Sequence, residues 1–155
     1  MRVMVIVKAN EDSEAGVLPR TDLLAKMGKF NEELVKAGVM LAGEGLHSSA
    51  KGARVRFSRG GLTVTDGPFA ETKELVAGFW LWRVKSIADA IEWLKRSPFE
   101  EGAELEIRPM YEVEDFGSNA TPEIREHEQR LRKQAEKLPA GGKRKVSIHQ
   151  QSRGL

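Results

Sequence analysis

The sequence predicts an α+β sandwich in which two helices cover one face of a mainly antiparallel sheet, and two observations carry that expectation. Short β-branched or alternating runs occur at 2–8, 53–58, 62–65, 76–84 and 103–113, with the length and composition of strands. Two other stretches, 21–37 and 87–94, repeat their apolar residues at helical spacing. The order strand, helix, hairpin, strand, helix, strand then sets the architecture, because each element must bury its apolar face against another layer.

Taken in order, residues 2–8 are short and β-branched and read as a strand. Residues 21–37 carry Leu23, Leu24, Met27, Phe30 and Leu34 on a helical stripe, with Thr21 as N-cap and Gly38 as the stop. Val39 to Ala42 add a short strand before a glycine-broken loop, Gly43-Glu44-Gly45. The runs 53–58 and 62–65, joined at Gly60-Gly61, read as a hairpin. After an Asp-Gly-Pro loop, Val76 to Val84 reads as a strand. Ser86 caps a helix striped with Ile87, Ala90, Ile91 and Leu94, and Pro98 follows its end. Residues 103–113 alternate as the last strand, with Pro109 favouring an edge.

Strand parity assigns the faces. Val3, Val5, Val7, Val55, Phe57, Phe79, Leu81, Leu105 and Ile107 share one side and are expected beneath the helices. Met4, Ile6, Lys8, Arg54, Arg56, Trp80, Trp82, Glu104, Glu106, Arg108 and Met110 share the other. Tryptophans mixed with charges suit a surface awaiting a second subunit or a ligand. A homodimer through the sheet face carrying Trp80 and Trp82 is therefore expected.

Composition narrows the function classes. The 155 residues suffice for one domain with a real core, and 31% charged with 40% hydrophobic residues is ordinary for a soluble protein. Without cysteine there is no disulfide, thiolate metal site or thiol nucleophile, which suits a reducing cytosol. The apolar start ends at Lys8, short of a signal peptide core or a membrane span, so the mature protein is expected to be the whole chain, cytoplasmic and off the membrane. Residues 1–120 hold 16 basic and 19 acidic residues, net −3, whereas 121–155 hold 9 and 4, net +5. A nucleic-acid surface on the domain is not supported. Nucleophile-elbow, phosphate-loop and dinucleotide fingerprints are missing, and His47, His127 and His149 are too scattered for a metal site.

The most distinctive stretch runs from Val64 to Glu74: Val-Thr-Asp-Gly-Pro-Phe-Ala-Glu-Thr-Lys-Glu. Gly67 and Pro68 stiffen the turn, and loops on rigid strands often carry function. Asp66 is the leading catalytic candidate; its alternative is a turn-former capping local amides. Glu71 and Lys73 would orient a substrate or remain a solvated cluster with Glu74. His47 suits proton transfer near neutral pH, though it would equally be an exposed loop residue. Arg108 and Arg56 would clamp a carboxylate or phosphate, or pair with Glu106 or Glu104. Trp80 and Trp82 would stack on a flat ligand or fill a dimer core. Lys8 would anchor an anion or reach to solvent.

That stretch resembles the signature of the DGPF branch of the YCII-related proteins. Met27-Gly28-Lys29-Phe30-Asn31-Glu32-Glu33-Leu34, Gly78-Phe79-Trp80 and Glu106-Ile107-Arg108-Pro109 add to the likeness, which covers about 1–117. It implies a ferredoxin-like unit of the dimeric α+β barrel type, with a cleft in or beside the joined sheets; no cofactor is expected. In shorter relatives a first-helix histidine pairs with the turn aspartate as an acid–base couple; here that position falls near Met27, and 9–46 contain no histidine. The resemblance also implies, by association, a non-catalytic adaptor linked to an extracytoplasmic-function sigma factor.

Beyond the domain, Thr121-Pro122 opens a charged helix over 118–138 whose Ile124, Leu131 and Leu138 recur every seven residues. It is expected to dock on its own domain, the dimer mate or another protein. Residues 139–155 read as a basic, disordered tail.

Overall fold

The structure is a computed structural model that describes residues 1–70 and 74–137. It divides into two compact units, the first Met1–Met110 and the second beginning at Tyr111. The first contains β1 (Arg2–Lys8), α1 (Glu11–Glu14), α2 (Thr21–Lys36), β2 (Met40–Gly45), a 3-10 turn (Ser49–Lys51), β3 (Ala53–Ser58), β4 (Gly61–Asp66), β5 (Val76–Arg83), α3 (Ile87–Leu94) and β6 (Leu105–Pro109). Four strands form one antiparallel sheet in the order β2-β5-β1-β6. With α2 following β1 and α3 following β5, this is the ferredoxin-like arrangement, and the α+β expectation holds.

Local chemistry explains the helices. In α2 the stripe of Met27, Phe30 and Leu34 faces the core, and Gly38 ends the helix at φ 69°. The Ser86 hydroxyl accepts from the Asp89 amide at 3.1 Å, starting α3 as expected. An unforeseen short helix, α1, is fixed by a reciprocal pair in which Asn10 Oδ1 accepts from the Ser13 amide and Ser13 Oγ from the Asn10 amide.

The core corrects the face assignment of β5. Val3 lies opposite Trp82 and Val5 opposite Trp80, and paired residues share a face, so the tryptophans point with Val3 and Val5 toward α2 and α3. Trp82 is 0% and Trp80 6% exposed. Phe30 meets both indoles edge-on, with centroids 6.2 and 6.3 Å away, and Phe99 meets Trp80 at 6.0 Å. Phe79 and Leu81 instead share the open face with Met4 and Ile6. Trp80 and Trp82 are thus core residues, available neither to a ligand on the open face nor to a sheet-to-sheet interface.

The second correction concerns the hairpin. Strands β3 and β4 pair only with each other, Val55 opposite Val64 and Phe57 opposite Leu62, in a separate two-stranded sheet. Val55 and Phe57 are exposed rather than beneath the helices. Arg56 therefore does not share a sheet with Arg108.

Two element boundaries also move. Strand β2 runs through Gly43-Glu44-Gly45, expected as loop, because that segment pairs with Trp80, Phe79 and Gly78. Strand β6 is confined to five residues, Leu105–Pro109; as an edge strand it tolerates Pro109 opposite Val3, and the Met110 amide just beyond still donates to the Arg2 carbonyl at 3.0 Å.

The second unit holds a 3-10 segment (Val113–Asn119) and α4 (Pro122–Lys137). The Thr121 hydroxyl accepts from the Ile124 amide at 3.4 Å, at the helix start the sequence indicates. Ile124 and Leu131 are exposed. Leu138 and the tail from 139 lie outside the described residues.

Candidate functional site

The Asp-Gly-Pro loop is held by a short chain of hydrogen bonds that begins at α1. The Asn10–Ser13 pair places Glu14, whose carboxylate accepts from Ser49 Oγ at 2.5 Å and from the Ser49 amide at 3.0 Å. Ser49 Oγ in turn accepts from the Phe69 amide at 3.0 Å, and the Gly67 amide donates to the Gly52 carbonyl at 2.9 Å. At Gly67 any β-carbon would overlap the Ser49 carbonyl, so only glycine admits this approach.

Phe69, fixed through its amide, lies under the Arg54 guanidinium, 3.9 Å from the carbon to the ring centroid. A guanidinium over an aromatic face gains from the ring's π electrons and still has N–H donors to offer an oxyanion. Arg54 and Arg56 alternate along β3 and lie opposite Thr65 and Thr63 of β4, so two cations and two hydroxyls share one hairpin face. An open cleft of about 560 Å³ is lined by Arg54, Val55, Arg56, Phe57, Thr65 and Phe69. No carboxylate among the described residues pairs with Arg54 or Arg56.

The other candidates are dispersed. Asp66 lies opposite Ala53 at the end of β4, in register with Val55 and Val64, on the other hairpin face from the arginines. His47 is exposed between β2 and the 3-10 turn. No hydrogen bond or ion pair among the described residues engages either side chain. Lys8 and Arg108 lie on the open sheet face, where Glu106 stands between them, 3.7 Å from Lys8 Nζ and 3.6 Å from Arg108 Nε. Trp80 and Trp82 are in the core, and Glu71 and Lys73 lie outside the described residues. Among the described residues no acidic and histidine cluster could hold a metal ion, and no helix is long and apolar enough to cross a membrane.

Sequence reasoning missed Glu14, Ser49 and Arg54 as parts of this site. The Asn10-x-x-Ser13 spacing was the available signal for α1, and thus for Glu14. Nothing in the sequence pairs Glu14 with a serine 35 residues on.

The sequence matches the YCII-related domain over residues 1–114, and the chain belongs to that family. No curated protein matches the chain at a significant level.

Proposed function

We propose that this YCII-related protein is a cytoplasmic homodimer that binds a small oxyanion, a carboxylate or phosphate with an aromatic or polar body, in the hairpin cleft beside the Asp-Gly-Pro loop. The observation that carries the reading is the Arg54 guanidinium stacked on Phe69, with Arg56 and Thr65 lining the same cleft. The two arginines supply bidentate donors, the ring a flat apolar wall, and the Glu14–Ser49 chain holds the wall in place. The absence of cysteine supports a reducing compartment. The homodimer uses the open sheet face, now carried by Met4, Ile6, Phe79 and Leu81.

Binding is favoured over turnover. A general base works through a held geometry, and Asp66 and His47 are exposed, without a partner among the described residues to orient them. Asp66 as base and His47 as proton carrier would serve a ligand that reaches past the end of β4. Lys8 and Arg108, each near Glu106, would be lesser anion contacts.

Phenyl phosphate, benzoate and inorganic phosphate are the probes. Calorimetric titration of the parent is expected to show saturable binding, and Arg54→Gln to weaken it about tenfold or more, the worth of a lost charge-assisted pair. Phe69→Ala should weaken phenyl phosphate more than inorganic phosphate. Asp66→Asn should leave affinity unchanged or raise it, since it removes a nearby negative charge. Absence of binding by all three probes at millimolar concentration rejects the proposal.

A second reading, an adaptor linked to a sigma factor, is favoured by one observation in the second unit. Ile124 and Leu131 stand exposed on α4, and Val113, Phe116, Ala120 and Ile124 border a hollow of about 220 Å³. It fails if protein ending at Gly117 recovers the same partners as the full chain in a pull-down.

A further inference from the structure

Strands β3 and β4 have no buried or half-buried position; every residue in both is exposed. Yet one face of the hairpin is wholly apolar at its centre. Val55 and Val64 are 52% and 64% exposed, and Phe57 and Leu62, one pair further out, 81% and 64%. An isolated two-stranded hairpin is marginal in water, and an uncovered apolar ribbon is a template for association.

The same chain carries a matching surface. On the open face of the four-stranded sheet Met4 pairs with Leu81 and Ile6 with Phe79, a two-by-two apolar patch on neighbouring antiparallel strands. None of the four belongs to the core cluster. Charge adds direction: Arg59 at the hairpin tip and Glu101 and Glu104 ahead of β6 have no ion-pair partner among the described residues.

We infer that the hairpin is an arm received by a second copy of this chain, its Val55, Phe57, Leu62 and Val64 face packed on the partner's open sheet. Arg59 then meets the acidic approach to the partner's β6. Each copy holds both an arm and a receiving face, so a two-fold axis satisfies both at once and the assembly closes at two. Docking through the apolar face leaves Arg54, Arg56 and Thr65 turned away from the contact. This inference rests on the homodimer proposed above and adds the arm to it.

Sedimentation at micromolar concentration tests it. The parent is expected at about twice the 17.3 kDa chain mass, and a Phe57→Glu, Leu62→Glu double variant at the single-chain mass with an unchanged far-UV spectrum, since both residues are exposed. Because the chain has no cysteine, Phe57→Cys and Ile6→Cys proteins can be mixed and treated with a bismaleimide. Linked dimers should then exceed those formed by either protein alone. A dimeric parent whose double variant stays dimeric, or a mixture with no excess linkage, overturns the arm alone. A monomeric parent overturns the homodimer with it. Oxyanion binding by either form is judged separately, through Arg54→Gln.

Discussion

Two tryptophans two residues apart differ by one hydrogen bond. The Trp80 indole N–H donates to Asn31 Oδ1 at 3.0 Å, whereas the Trp82 indole N–H, fully buried, has no acceptor among the described residues. A buried donor without an acceptor costs about 1–3 kcal/mol, so Trp82 is held by its packing against Phe30, Val3 and Leu34 despite that loss. Asn31→Ala would put Trp80 in the same position. It is expected to lower unfolding free energy in urea by about 1–3 kcal/mol; no change would mean that the bond contributes nothing to stability. Charge at the start of α2 works on a smaller scale. The Arg20 guanidinium, 3.1 Å from Asp22, holds that carboxyl below the usual aspartate range, chiefly through the hydrogen bond. A lowered folded value stabilises above the unfolded aspartate pKa, and that contribution disappears as pH falls through the folded value. In an NMR titration, Arg20→Ala should therefore move the Asp22 midpoint upward. Both groups are exposed, so the effect on global stability should be small.

At the scale of elements, glycine placement separates the loop from the helix. Gly28 sits inside α2 with open space around it, so Gly28→Ala should raise stability by up to about 1 kcal/mol through helix propensity. Gly67→Ala meets the Ser49 backbone and should do the opposite, loosening the Asp-Gly-Pro loop. Ser49→Ala should loosen it too by releasing the Phe69 amide and Glu14. Faster amide exchange at Phe69 in both loop variants, but not in Gly28→Ala, is the expected result. The same elements show how far the sequence could be read. Stripe spacing found α2 and α3, and β-branched or alternating runs found β1, β3, β4, β5 and β6, because composition and period are carried by the residues themselves; of β2 only the first half was legible. Faces were lost in β5, where Phe79, Trp80, Leu81 and Trp82 are all apolar, so alternation carries no polarity and only the register with Val3 and Val5 decides. In the hairpin, alternation showed two faces correctly but could not show that the apolar one is left uncovered, since pairing between distant strands is a tertiary matter. The Asp-Gly-Pro turn was legible from Gly67 and Pro68; its anchors were not, because Glu14 and Ser49 meet only through the fold.

For the molecule as a whole, the distribution of buried residues locates its stability. Every residue of the core cluster and every apolar side chain packed against it lies between Val3 and Ile107. The second unit has its own local ties: Arg125 donates to the carbonyls of Ala120 and Gly117 at 2.8 and 2.9 Å, and Tyr111 stacks near Phe116 at 5.2 Å. A protein ending at Gly117 keeps the whole cluster and the whole four-stranded sheet, and loses α4, whose apolar residues Ile124 and Leu131 stand exposed. Exposed side chains return little on removal, because burial rather than presence supplies the stabilisation. The truncated chain is therefore expected to unfold in one cooperative transition, with stability within about 1 kcal/mol of the parent, or a melting shift of no more than about 4–8 °C. It should also retain the parent's oxyanion affinity, since Arg54, Arg56, Thr65 and Phe69 all belong to the first unit. A much larger loss of stability would show that α4 is part of the folded core, and a loss of affinity without a loss of stability would carry the binding site beyond the hairpin cleft.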